Sequence, residues 1–152
     1  MTALSMVKEL FGASGYRLYA HALRRHPTRF HASISQPETT TAHLVELSCR
    51  LLCEARRAGF DPARLLVQSS TFASGRPSDS LCHELTDALG PEAVSILARQ
   101  LAMSRKAILH ALSKPGARYH PHVRLIVSVI ANLRAKGLLP HVFDIDQNDA
   151  AA

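Results

Sequence analysis

The sequence predicts an all-α protein, a helical N-terminal region followed by a compact helical domain. Three observations carry that expectation. The chain is 47% hydrophobic but only 5% aromatic, with no Trp, and its dominance by Ala, Leu, Val and Ile suits packed helices better than a sandwich of short strands. Apolar residues recur at helical spacing in the longer segments. Capping residues, Gly and Pro punctuate those segments. At 152 residues, there is length for one ordinary domain or two small units sharing a core.

Residues 4–11 and 15–26 read as one interrupted or two short helices, with Ser14 as a cap, Leu18, Ala22 and Leu23 on one face, and Pro27 as a stop. The piece HPTRFHASISQPETTT has turn residues and β-branched residues without a sustained period, and is expected to be a loop with at most a short strand around Phe30 to Ile34. From Pro37 or Thr40 to Ala58, the residues Leu44, Leu47, Leu51 and Ala55, flanked by Val45, Cys49 and Leu52, mark the strongest helix of the first half, and Gly59 ends it. Asp61 and Pro62 then start a short helix to about Val67. The polar run QSSTFASGRPSDS reads as a linker, giving an N-terminal region 1–69, a linker 70–79, a compact domain 80–139 and a mobile acidic tail 140–152.

The second half opens with Asp79 or Ser80 as cap, assisted by Glu84, before Leu81, Leu85 and Leu89, with Gly90 as the stop. Pro91 and Glu92 begin a helix to about Leu101. It breaks at Ala102-Met103, and Ser104 caps a restart over Arg105 to Ser113. KPGARY is a turn, and Pro121 opens a last helix to Lys136, stopped by Gly137. Val123, Ile126, Val127, Ile130 and Leu133 form one face of that helix, widened by Leu125 and Val129. So broad a stripe predicts contact on two sides, with its own domain and with either the N-terminal helices or a second subunit.

Charge is distributed unevenly. The net charge is +6, and no Asp or Glu lies between Ala93 and Phe143, a window holding Arg99, Arg105, Lys106, Lys114, Arg118, Arg124, Arg134 and Lys136. Such a balance fits a polyanionic partner. Cys49, Cys53 and Cys82 make an odd set in a chain without a secretory pattern, and are expected to be reduced packing residues. No run of 18 apolar residues and no signal-peptide order occurs, so a cytoplasmic protein without a membrane partner is expected. Cys49 and Cys53 lack a second close pair, and His120 and His122 lack a nearby acid, so no metal site or cofactor is expected. A nucleophile setting, paired carboxylates and a Gly-rich phosphate loop are all missing, which argues against an enzyme. The stretch YRLYAHALRRHPTRFH interleaves Tyr16, Tyr19 and Phe30 with arginines, a pattern open to base stacking but more typical of an amphipathic helix with a solvated edge.

The centre of the basic window carries the functional reading. Two helices cross steeply through a tight turn only when the connecting residues are small or well capped. Ala98 supplies a small face, Leu97 and Leu101 anchor the first helix, Met103 plugs the turn, Ser104 caps, and Ile108 with Leu112 anchors the second. LARQLAMSRKAILHAL therefore resembles the helix-turn-helix of the lambda-repressor-like superfamily, and residues 80–139 look closest to its addiction-module antidote (antitoxin) branch. Proteins of that superfamily usually carry Gly in the turn where this chain has Ala102, so the resemblance implies a left-handed residue there, at a cost of ~1 kcal/mol.

It also implies double-stranded DNA as partner and a role as a transcriptional regulator, a repressor or antitoxin-type autoregulator. Ser104, Arg105, Lys106 and His110 would then face base edges, and Arg99, Lys114 and Arg118 the backbone. One recognition helix reads few base pairs, so a homodimer on two half-sites is expected. A toxin or other protein partner is assigned to the N-terminal region. The alternative from another class is an adaptor or inhibitor, of phage or mobile-element type, that sets its basic face against an acidic protein.

Overall fold

The computed structural model describes residues 2–138 and Phe143. Among them the order is α1 (Ala3–Phe11), α2 (Gly15–Ala22), α3 (Pro27–Ser35), α4 (Thr40–Arg57), α5 (Pro62–Ala73), α6 (Ser78–Leu89), α7 (Ala93–Leu101), α8 (Arg105–Ser113) and α9 (His120–Ala135). No strand occurs among the described residues, so the all-α class holds.

Helix α9 is the centre of the molecule. It packs against α4, α5, α6 and α8, and every residue from His122 to Ala131 is buried, as is Leu133. Both faces of its apolar stripe are therefore covered by this chain. At ~1.5–3 kcal/mol for each large aliphatic side chain taken out of water, this helix is the largest single contributor to the core. One hydrophobic cluster runs from Ala3 through Leu133 and includes Phe143. The stripe on α4 is buried as its spacing predicts: Leu44, Val45, Leu47, Cys49, Leu51, Leu52 and Ala55. Thr39 caps that helix by accepting the Ala42 N–H.

Four local expectations are corrected. Residues 27–35 form a helix and not a loop or strand, because Pro27 is well placed in a first turn and Phe30 and Ile34, one helical turn apart, both reach the core. Helix α2 stops at Ala22, and Ser14 before it makes no side-chain capping bond. Helix α5 continues past Val67 to Ala73, since Ser69 and Ala73 are buried and the Ser70 hydroxyl donates to the Ala22 carbonyl at 2.6 Å. The expected linker thus shrinks to Ser74, Gly75, Arg76 and Pro77, and α6 starts at Ser78 behind Pro77, not behind Asp79 or Ser80. The acidic tail lies outside the described residues except for Phe143, which is buried.

An aromatic column joins the N-terminal helices to α9. Phe11 meets Tyr19 edge-on at 6.4 Å, Tyr19 stacks on Phe30 at 5.4 Å, and Phe30 stacks on His122 at 6.4 Å. The Tyr19 hydroxyl is bonded to that of Ser48. Tyr19 and Phe30 are therefore core residues, closed to stacking on bases. The three cysteines are free thiols, and burial pushes the Cys49 thiol well up, away from the reactive range.

Candidate nucleic-acid interface

Helices α7 and α8 pack against each other across a three-residue turn; α6 touches both, α4 backs α7 and α9 backs α8. The turn is built as the residues dictate. Ala102 takes φ +52° and ψ +41°, the left-handed conformation. Its N–H and that of Met103 return to the last carbonyls of α7, Met103 to Ala98 at 3.0 Å. Ser104 Oγ accepts the Ala107 N–H at 3.0 Å and starts α8. Leu97, Leu101, Ile108 and Leu112 are fully or nearly fully buried, and Ala98 is 6% exposed. Ala102→Gly is expected to raise the unfolding free energy by about 0.5–1 kcal/mol, because only the alanine carries a Cβ penalty at that φ. A urea melt showing no change or a loss would sink this account of the turn.

The outward face of α8 carries Arg105, Lys106, Leu109 and His110, all exposed. Ser104 is exposed too, and with its oxygen engaged as a cap its hydroxyl proton is free to donate. Lys114 closes α8, and Arg118 follows in the turn to α9 with its guanidinium 5.6 Å from the Tyr119 ring. Arg99 is exposed on α7. The structure therefore brings Ser104, Arg105 and Lys106 together at the start of α8, places His110 in its last turn and strings Lys114 and Arg118 beyond its end. Arg105, Lys106, Lys114 and Arg118 make no ion pair among the described residues.

Leu109 was not anticipated. It is 41% exposed, one of two large apolar side chains on the described surface to be so, and it sits among the basic residues of α8. Its position off the Ile108–Leu112 stripe was the available signal. The rest of the basic window is diverted. Arg134 pairs with Asp87 of α6 at 3.7 Å, Lys136 lies over the Phe60 ring at 4.9 Å, and Arg124 is buried and donates to the carbonyls of Leu112 (3.1 Å), Ala73 (2.8 Å) and Arg76. A window free of acids in sequence is not free of them in space.

The two histidines around Pro121 separate. His120 Nδ1 bonds the Ala111 carbonyl at 2.6 Å, whereas His122 is buried with no partner for Nε2 among the described residues. Desolvation, reinforced by Arg25, lowers the His122 pKa to about 3. No group of three His, Cys, Asp or Glu is gathered as for a metal, and no helix is long and apolar enough to cross a membrane, among the described residues. No family model, curated protein or solved structure matches this chain.

Proposed function

We propose that this chain is a sequence-specific DNA-binding transcriptional regulator, a repressor or antitoxin-type autoregulator, that places α8 in the major groove. The observation that carries the reading is the exposed face of α8: two unpaired cations in its first turn and a histidine in its last, behind a capped tight turn and over a buried anchor of Ile108 and Leu112. Arg105 offers a bidentate fork to guanine, Lys106 a donor to guanine or phosphate, and Leu109 an apolar contact for a thymine methyl. Ser104 and the first N–H groups of α8 suit a phosphate oxygen. Lys114 and Arg118, with Arg99 on the neighbouring helix, grip the backbone. Since α9 is enclosed by its own chain, the homodimer proposed for two half-sites uses another surface.

The test is a titration of wild type and variants against the duplex upstream of the chain's own gene and a scrambled duplex, at two salt concentrations, with melting curves alongside. Arg105→Ala and Lys106→Ala are each expected to cost ~1–3 kcal/mol on the upstream duplex and to relax the preference for it. Lys114→Ala weakens both duplexes alike and makes the salt slope shallower by about one unit. Melting temperatures stay near wild type, because all three side chains are exposed. If both α8 variants bind the upstream duplex like wild type, the groove assignment fails and a basic adaptor surface for an acidic protein takes its place.

A further inference from the structure

An open cleft of about 690 Å³, lined by none of Arg105, Lys106, Leu109 and His110, lies between the C-terminal ends of α2, α5 and α8, the connector from α5 to α6, and the first two turns of α9. Every charged or titratable side chain in its lining is basic: Arg24, Arg76, Arg124 and His120, with no Asp or Glu. Four serines add hydroxyls, and the remaining wall is apolar, including Leu23, Leu125 and Pro121. None of the three arginines pairs with a carboxylate among the described residues.

The guanidinium groups are held in place. Arg76 lies over Phe72, its guanidinium carbon 3.6 Å from the ring centre, Arg124 is fixed by the carbonyls of Leu112 and Ala73, and Arg24 donates to Ser74 Oγ at 3.1 Å. Arg24 does so from φ +56°, a left-handed conformation that costs a side chain ~1 kcal/mol and suits glycine. A strained backbone that aims a cation into a cleft of like charges is the pattern of a ligand clamp. The start of α6 opens into the same space through Pro77 and Ser78, and no side chain caps that helix, so its first N–H groups remain to donate, although Asp79 in the same turn offsets their positive field.

We propose that this cleft binds a small molecule of mononucleotide size that carries a phosphate group, with Arg24 and Arg76 as the principal phosphate ligands and the apolar wall accepting the rest. The volume is in the range of small-molecule sites, and forked guanidinium donors with hydroxyls and helix N–H groups match a phosphate's three oxygens. The site is independent of what α8 binds.

The full chain is titrated calorimetrically and by thermal shift with adenosine monophosphate, inorganic phosphate and adenosine at 0.15 M salt. The monophosphate is expected to bind saturably and raise the melting temperature by several degrees, inorganic phosphate to do so more weakly, and adenosine alone not to. Arg24→Gly separates binding from folding, since it relieves the strained φ: its ligand-free melting temperature should equal or exceed wild type while affinity for the monophosphate falls at least tenfold. Arg76→Gln should lose a similar factor. The double variant R105A/K106A should bind the monophosphate like wild type. Absence of saturable binding, undiminished affinity in Arg24→Gly and Arg76→Gln, or a loss confined to R105A/K106A overturns the proposal. The last result would place the anion on the α8 face and leave the cleft empty.

Discussion

Arg124→Met is expected to lower the unfolding free energy by about 3–5 kcal/mol, enough to unfold a marginal domain at physiological temperature. The side chain is 9% exposed and joins three segments that no other described side chain connects in this way: the last residue of α5 through the Ala73 carbonyl, the connector through that of Arg76, and the last turn of α8 through that of Leu112. Each carbonyl left without a donor in a desolvated place costs ~1–3 kcal/mol. Two of them stand at helix C-termini, where the dipole favours a cation. Part of that cost is offset because methionine needs no desolvation of a charge, which keeps the expectation below the sum of three bonds. Arg124→Lys should fall between, since an ammonium keeps the charge but lacks the planar fork. Urea melts at neutral pH check this, and a methionine variant within about 0.5 kcal/mol of wild type contradicts the role assigned to Arg124.

Acid should destabilise the protein well above the pH at which carboxylates protonate, through His122. In the unfolded chain its imidazole takes up a proton around pH 6.5, while burial holds the folded imidazole neutral down to about 3. Between those values the unfolded state binds more protons, so stability rises with pH through that window and falls as the solution is acidified. From pH 7.5 to pH 4 the loss from this one group is about 3 kcal/mol. His122→Leu is close in volume and leaves no unpartnered Nε2 in the core, so at neutral pH it should melt within ~1.5 kcal/mol of wild type and show a much flatter acid limb. Stability curves of wild type and variant that run parallel from pH 7.5 to pH 4 would remove His122 as the cause.

The segments read correctly from sequence are those whose signals are local. Thr40 to Ala58 was legible because a stripe of leucines repeats within one helix. The turn at Ala102 was legible because Ser104 and the apolar anchors on either side act over four residues or fewer. Residues 27–35 were misread for the complementary reason. Only two of their side chains, Phe30 and Ile34, carry the helix, and they do so through contacts with α2 and α4 that no local pattern announces.

At the candidate interface, the same reach sets the limit. The sequence by itself determined that the protein is helical, where α7 gives way to α8, and that Lys106 and His110 lie on the side of α8 away from Ile108 and Leu112, since all of this follows from a 3.6-residue period and a cap. Only the tertiary structure decided where the remaining charges go. Arg105 and Arg124 are the same residue type in the same acid-free window, yet one is exposed and the other is buried against three carbonyls. His120 and His122 are two residues apart on one helix, but that step turns the side chain by about 200°, from the cleft to the core. Which side of α9 is cleft and which is core depends on α4, α5, α6 and α8 closing around it, and those contacts come from parts of the chain too far apart for any local pattern to relate them.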